Sequence, residues 1–519
     1  MENIPKFFQD KHVLVTGGTG FMGKVLLEKI LRSCPDVGNI YVLMRPKKQK
    51  DPRDRIKDIT DLPLFDVLKH KYPENLKKLV PISGDCLELG LGLSPTDRQT
   101  LQEKVSIVFH SAASVRFDDT LKYATLINTR GTREVMLLAR NMRNLKVLVH
   151  VSTSYSNCDR SVVEEIVYPP HADWRKIIDI VENTDEHTLN VLTQKILGNL
   201  PNTYIFTKSI AEHVVKDLGE NLPVVIIRPS IVISTLNDPF PGWIDNFNGP
   251  IGLLVGGGKG ILRVCLGNPN TVMDHMPVDI AIKVMCIAAW EKGSSNDISE
   301  PSVYNATSSE LKNISLRELV DLGFEVMTEC PVDNSLWKPY VYITDNKLLY
   351  FWRMVLVHLI QLRLSKRKPM LLKLQRRIFV ASVALFYFAT NTWQFKNDKM
   401  LWLRDRMHSS DKKEFGFDGV EDLDNKEFFM NATKAASVYL LKEPADKTHA
   451  RKHYARMWWL DAVFLVLRII FIFWVVYNST MVQNSLLNIC TAITDVIYYD
   501  DPSNLSPSDT QNDHNIKLP

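Results

Sequence analysis

Tyr204 and Lys208, four apart in Tyr204-Ile-Phe-Thr-Lys208, offer a phenol and an ammonium. On a helix, positions i and i+4 share one face. The ammonium would then sit beside the phenol, lower its pKa from a reference of about 10 and stabilise the phenolate. A tyrosine so placed can exchange a proton with a carbonyl oxygen. The same spacing also arises by chance as a surface aromatic next to a lysine. Upstream, a strand over 146–155 closes in three hydroxyls, Ser152, Thr153 and Ser154. Any of them could hydrogen-bond an oxygen on which negative charge develops. Together these residues describe proton and oxyanion chemistry at a carbonyl.

The elements that must position them begin near the start of the chain, in 12-HVLVTGGTGFMGKVLLEKILRS-33. A β-type run over 12–16 meets the turn Gly17-Gly18-Thr19-Gly20-Phe21-Met22-Gly23. A helical pattern follows, with Phe21, Val25, Leu26 and Ile30 three to four apart. Gly17 suits a tight turn, Gly20 lets the backbone approach a pyrophosphate, and Gly23 lets helix pack closely on strand. The helix start presents unpaired N–H groups to phosphates. Phe21 counts with this turn as a cofactor-binding candidate. A bare structural turn has the same letters, but a second strand over 40–44 completes the βαβ context that nucleotide binding requires. After that strand comes Arg45, followed by Lys47 and Lys48. An NAD site would normally hold Asp or Glu there, whereas a basic residue suits the 2′-phosphate of NADP, so NADPH is expected. A third strand over 79–83 ends in Gly84-Asp85, where a carboxylate can meet the adenine edge. The run 105–114 reads as a buried strand entering small residues, and Ala112 and Ala113 let a cofactor lie against the backbone. His110 reads as a packed strand-end residue, and a helix over 120–142 carries Asn128. The fold expected is α/β, a Rossmann-type doubly wound parallel sheet.

At 519 residues the chain exceeds the size at which one core usually keeps growing, about 250–300 residues, so two domains are expected. A formal charge of +4 does not argue for nucleic acid. Seven scattered cysteines without a CxxC pair suit reduced thiols facing the cytosol and offer no metal site. The start Met-Glu-Asn-Ile-Pro carries no secretory signal.

The order of glycine turn, 111-SAAS-114, 151-VSTSY-155 and the Tyr204–Lys208 pair resembles an extended short-chain dehydrogenase/reductase. In that resemblance Lys208 also holds the nicotinamide ribose. Three stretches narrow it to the fatty acyl-CoA reductases of eukaryotes. They are the long acidic insert from 163 into the tyrosine motif, 224-VVIIRPSIV-232 with PGWIDNFNGP and 256-GGGKGILRV-264, and the region 350–442. The resemblance implies cofactor contacts at Gly17, Gly20, Gly23, Arg45 and Pro229, and catalysis by Tyr204 and Lys208. Relatives usually read VSTAY where this chain has VSTSY, which favours Thr153 as hydroxyl donor. More distant extended reductases favour Ser154, and both stay candidates. The reaction implied has two steps. NADPH reduces a long-chain or very-long-chain acyl-CoA to a bound aldehyde, and a second NADPH yields the primary alcohol. The alternatives are a membrane hydroxysteroid-type dehydrogenase or epimerase of the same superfamily, and a scaffold that has lost its chemistry.

The expected organisation is a reductase domain over 1–345, a helical domain over 350–442, a membrane anchor over 458–477 and a polar acidic tail over 478–519. The Gly256–Gly260 run reads as a flexible loop, either a lid over the acyl chain or plain surface. Basic residues crowd 363–377, and the apolar run 378–389 that follows is too short to span a bilayer. It is either a core helix or an interfacial element drawn to anionic headgroups. The stretch 354–369 lacks the proline-alanine step expected in many relatives. The segment 458–477 is long enough to span, with Trp458, Trp459 and Tyr477 placed as interfacial aromatics. Arg468 near its middle costs about 2.5–3.5 kcal/mol on insertion. Lys447, Arg451, Lys452 and Arg456 precede it, while Asp495, Asp500, Asp501, Asp509 and Asp513 follow, so the catalytic part is expected to face the cytosol. From 502 onward the composition suits disorder, and the final Lys-Leu-Pro is not a peroxisomal signal. The endoplasmic reticulum leads as location, with the peroxisomal membrane as the alternative. The partners expected are a fatty acyl-CoA and membrane lipid, with self-association left open.

Overall fold

Val13-Leu14-Val15, Tyr41-Val42-Leu43 and Val147-Leu148-Val149 are apolar at consecutive positions, as strands covered on both faces must be. The computed structural model describes residues 2–45, 51–295, 298–309, 311–356 and 368–479, with short pieces at 483–485, 487–491 and 494. Seven of its strands form one parallel sheet. They are β1 (His12–Thr16), β2 (Ile40–Met44), β3 (Leu79–Ser83), β4 (Val105–His110), β5 (Val147–Val151), β6 (Val224–Pro229) and β7 (Ser302–Ala306). Their order is β3-β2-β1-β4-β5-β6-β7, parallel throughout. The strand order reverses between β1 and β4. In such sheets ligands bind at that switch point, outside the carboxyl ends of the strands.

Side-chain alternation divides the core. Val13 and Val15 face one layer with helix α1 (Phe21–Ser33), while Leu14, Val108 and Leu148 face the other. That second layer holds the helical run Leu121–Ala124, Thr125–Arg130 and Gly131–Ala139, whose middle turn is π-helical. The acidic insert folds as α2 (Trp174–Asn183) and α3 (Glu186–Leu197), and leads into α4 (Thr203–Leu218). Asn202 caps α4 by accepting from the Ile205 amide.

Several elements differ from expectation. Strand β5 stops at Val151 rather than running to 155, and the hydroxyl run leaves the sheet into a single 3-10 turn, Ser154–Asn157. The run 256–260 is not a lid or a loose loop. Gly256, Gly257 and Gly258 end a helix, α5 (Pro250–Gly258), and a Cβ on Gly258 would lie 2.3 Å from the Met327 sulfur. Gly260 turns the chain at φ +66 against Trp337. These glycines serve close packing. The run 378–389 belongs to a longer helix, introduced below, whose Val380, Val383 and Leu385 are exposed, so it is not a core helix.

Residues 1–451 form one compact unit, and 452–519 a second. Within the first unit the C-terminal part is tied into the sheet domain at many points. Gln394–Phe395 pairs in parallel with Val162–Val163. The Asp411 carboxylate accepts from the Ile4 amide at 2.9 Å. Glu165 accepts from the amides of Asn305 at 3.0 Å, Met400 at 3.2 Å and Lys399, joining β7 to that region. In the chain's last part, helix Thr448–Asn478 contains an 18-residue window of mean hydropathy 2.3 with none of it buried. By length and composition it can cross a membrane. Lys47, Lys48, most of 354–369 and the acidic tail from 495 onward lie outside the described residues.

Glu165→Ala would leave the buried Asn305 and Met400 amides, and the part-buried Lys399 amide, without this acceptor. It should cost about 2 kcal/mol or more, read as a lower urea midpoint for the detergent-solubilised chain.

Candidate active site

The glycine turn is a cradle in which side chains do not fit. Gly17 sits at φ +75, and a Cβ there would lie 2.7 Å from the Ala112 nitrogen. On Gly23 a Cβ would come within 2.2 Å of the Gly17 carbonyl oxygen, so the α1 helix can approach the turn only through glycine. A Cβ on Gly20 would meet nothing nearer than that same oxygen, at 3.2 Å. Gly20 is the N-cap of α1 and no side chain caps the helix, which leaves the first N–H groups for an anion. A Cβ on Gly18, which sequence reasoning passed over, would lie 2.7 Å from Val42 Cγ1. Beneath the turn the Thr16 hydroxyl bonds His110 Nδ1 at 2.7 Å and accepts from the Ala112 amide at 3.3 Å. The other His110 nitrogen meets the Thr132 hydroxyl at 2.9 Å. Burial pushes the His110 pKa down to about 3, making it a neutral strut at the strand end. Ala112 and Ala113 line the opening after β4 and are partly exposed. Phe21 stacks on Trp243 with ring centroids 5.5 Å apart. Past β2, the mostly exposed Arg45 places its Nε 3.9 Å from an oxygen of Asp85, which itself caps the turn after β3 by accepting from the Leu87 amide. Pro229 ends β6, buried and in register with Ala306.

Across the switch point, α4 brings Tyr204 to the end of β5. The phenol lies beside the Thr153 hydroxyl, which pulls its pKa down against burial and itself accepts from the Tyr155 amide at 3.3 Å, and the phenol ring stacks on Phe117 at 5.8 Å. Lys208 lies one turn along and is buried, its Nζ donating to the Val151 carbonyl at 2.6 Å. One further turn brings Glu212, whose carboxylate accepts from Ser152 at 2.5 Å and Ser156 at 3.0 Å. Arg228 from β6 grips the same carboxylate through Nε at 2.9 Å and Nη2 at 2.7 Å. The three strand-end hydroxyls are thereby separated. Ser152 is committed to Glu212, Thr153 reaches Tyr204, and the Ser154 hydroxyl is fully buried without a partner among the described residues. Asn128, in the π-turn, donates to Ser114 O and to the Thr207 hydroxyl while accepting from the Ser114 amide. It clamps the SAAS loop to α4.

Comparison with known proteins shows the family. The sequence family described as "Male sterility protein" matches twice, its NAD-binding part over residues 15–285 and its second part over 349–443. The chain is 40% identical over 464 residues to fatty acyl-CoA reductase 1 of Xenopus laevis, covering 87% of this chain and 90% of that one. It is 39% identical to fatty acyl-CoA reductase 1 of Homo sapiens over the same shares. The chain belongs to the fatty acyl-CoA reductase family. Among solved structures, the terminal R domain from the myxalamid PKS-NRPS biosynthetic pathway shares the fold. Its TM-score is 0.55 at 18% identity, over 84% of this chain and 93% of that one. The reductase is accordingly an oxidoreductase with a nicotinamide cofactor, and the cradle of Gly17, Gly20 and Gly23 below an uncapped helix N-terminus fits such a group.

One expectation about the reductase is corrected by its geometry. Lys208 does share a face with Tyr204, but its ammonium reaches the Val151 carbonyl rather than the phenol. Burial pushes the Tyr204 pKa up to about 12, and the opposing pull comes from the Thr153 hydroxyl. Burial also pushes Lys208 down to about 8, against the pull of Glu212. Sequence reasoning missed Glu212 and Arg228. Their signals were present: a carboxylate in register one turn past Lys208, and a lone charge in the apolar strand 224-VVIIRP-229. It also missed Phe117 and Phe388, whose rings meet at 5.3 Å beside Tyr204. That contact joins positions 271 residues apart (388 − 117) and has no local signature.

With its pKa pushed down to about 8 by burial, a Lys208 that must be charged for turnover predicts that kcat/KM of the reductase falls as pH rises through about 8. In Lys208→Arg the guanidinium stays charged, so the residual activity should lose this alkaline limb. The pH profiles of both proteins check it.

Proposed function

We propose that the chain reduces long-chain or very-long-chain fatty acyl-CoA to the primary alcohol, through a bound aldehyde, with NADPH as reductant. The observation that carries the reading is the Tyr204 phenol held beside Thr153 at the end of β5, one turn from the buried Lys208 and across the switch point from the glycine cradle. The cofactor supplies hydride when bound. The chain's own residues do the rest. Tyr204, protonated at neutral pH, gives its proton to the substrate oxygen as charge develops there, and Thr153 orients that phenol and shares the oxyanion. Lys208 keeps a positive charge beneath them, fixed by the Val151 carbonyl. One such site serves both steps, since each builds negative charge on a carbonyl oxygen. In total two hydrides and two protons are taken up, the C–S bond breaks, and CoA leaves as its thiol.

An acyl chain needs apolar walls, and Phe117, Tyr155 and Phe388 form them beside the phenol, with Phe388 bridging the other two at 5.3 and 5.4 Å. Arg45 and the Gly17, Gly20, Gly23, Ala112 and Ala113 backbone are the groups suited to the dinucleotide, with Asp85 at its adenine and Pro229 at its nicotinamide end. Arg45, with no acid at its own position, supports NADPH over NADH. Helix Thr448–Asn478 supports a single-pass anchor, and the basic residues ahead of its apolar stretch support a cytosolic catalytic part, with the endoplasmic reticulum as the location in this reading. The intact cluster of Thr153, Tyr204 and Lys208 speaks against a scaffold.

Membranes carrying the protein, supplied with NADPH and long-chain acyl-CoA, should yield fatty alcohol and free CoA. Tyr204→Phe should lower this at least about a hundredfold while leaving NADPH binding nearly intact. Aldehyde as sole product would refute the second step, and full turnover by the variant would refute the role of Tyr204. In a separate test, Arg45→Asp should move preference from NADPH towards NADH, measured as the ratio of kcat/KM for the two. An unchanged ratio would show that Arg45 does not read the 2′-phosphate.

A further inference from the structure

From Lys347 to Thr390 the sequence contains no Asp or Glu. Two helices are described there, α6 (Lys347–Met354) and α7 (Lys368–Thr390). They run antiparallel, since Lys347 Nζ lies 4.6 Å from the Phe386 ring while the Tyr350 ring stacks on Phe379 at 6.0 Å. Their inner faces are satisfied, with Tyr350, Met354, Phe379 and Phe386 closing a small core over Val264 and Leu266. Their outer faces are not. Leu348 is 74% exposed, Trp352 59% and Leu356, just past α6, 55%, at spacings of four that place them on one face. On α7, Val380 and Val383 are about half exposed, and the exposed Lys373, Arg376 and Arg377 precede them on the same stripe.

An apolar edge of this kind marks a contact surface rather than a solvated one. Its charge selects the partner. Aliphatic and indole side chains flanked by lysine and arginine, with no carboxylate along the whole stretch, complement a surface with an apolar interior and anionic headgroups. The helix that carries part of this edge also ends at the active site. Phe388, in the last turn of α7, meets Phe117, which stacks on Tyr204.

We infer that the α6–α7 hairpin docks on an anionic bilayer surface, seating Leu348, Trp352, Leu356, Val380 and Val383 among the acyl chains and Lys373, Arg376 and Arg377 among the headgroups. This rests on the membrane anchoring proposed above. It makes the hairpin a second, peripheral contact of the catalytic unit with the lipid, one whose helix reaches from the membrane face to the reaction site.

The test uses the full chain reconstituted into phosphatidylcholine liposomes with or without phosphatidylserine. An environment-sensitive fluorophore is attached at Trp352→Cys in a Cys490→Ser background, because Cys490 is the exposed native thiol among the described residues. Val191→Cys, a position 70% exposed on α3, is the control. Spin-labelled lipid should quench the fluorophore at position 352 at least about threefold more than at 191, more strongly with phosphatidylserine present and less at high salt. Equal quenching at the two positions would overturn the inference. So would a blue-shifted probe that lipid does not quench, which would indicate cover by a second copy of the chain. Leu348→Cys repeats the measurement should Trp352→Cys fail to fold. Resistance to alkaline extraction is scored in the same samples. An extractable protein whose position 352 is still quenched would overturn the anchor while supporting the hairpin.

Discussion

One buried carboxylate holds the reaction site in register. Glu212 accepts four hydrogen bonds, from Ser152, Ser156 and two nitrogens of Arg228, in a place from which water is excluded. Burial alone would raise its pKa, but the Arg228 guanidinium and these hydrogen bonds hold it below the ordinary carboxylate range. Such a pair is poor evidence for net stability, because desolvating both ions offsets their attraction. Its value is geometric. Ser152 and Ser156 bracket Thr153, so the carboxylate fixes the chain on both sides of the hydroxyl that reaches Tyr204. Arg228 donates onward to the carbonyls of Glu164 and Ile166, so the start of the acidic insert is set by the same two side chains. Helix α4, the end of β5 and strand β6 therefore cannot shift independently without stranding a buried charge.

Burial also sets the resting protonation state of the Tyr204 phenol. A phenol pushed up to about 12 rests protonated, ready to donate to an oxygen that is gaining charge. Sequence spacing suggested the opposite environment, a phenol lowered by its lysine neighbour. The difference lies in where the lysine's length takes it. From one turn along α4 the side chain donates to the carbonyl of Val151, the last residue of β5. A donor-ready tyrosine suits carbonyl reduction, whereas an enzyme that removes a proton from an alcohol needs the phenolate.

What could be read from the sequence followed from what is local. The strands over 12–16, 40–44 and 79–83 coincide with β1, β2 and β3 because their apolar runs end at glycine or at polar residues. The glycine turn was legible because Gly20 and Gly23 answer to backbone only a few residues away, whereas the neighbours of Gly17 and Gly18, Ala112 and Val42, are brought in by other strands. Tyr204 and Lys208 were legible as an i, i+4 pair. The run Gly256–Gly260 misled because glycine signals both freedom and tight contact, and only the packing of Met327 and Trp337 against it tells which applies. Thr153 could not be separated from Ser152 and Ser154 by sequence, since three adjacent hydroxyls leaving a strand diverge only once Glu212 has claimed the first.

The C-terminal part shows why the chain past β7 is no detachable appendage. Tyr387 and Trp393 both donate to the Cys158 carbonyl, at 3.1 and 2.9 Å, directly after the turn that carries Ser154. Tyr155 is ringed by Phe388, Trp393 and Phe395 at 5.2–5.4 Å. Asn397 and Lys399 bond Thr307 and Glu165 at the far end of the sheet. A Rossmann sheet alone leaves the carboxyl ends of its strands open to water, which suits a small polar substrate. An acyl chain requires that edge to be roofed with aromatic surface, and these residues supply the roof from a region that local sequence logic assigned to a separate domain. The region of the second family match, over 349–443, thus packs its aromatic rings on the turn after β5, inside the unit that the first match builds.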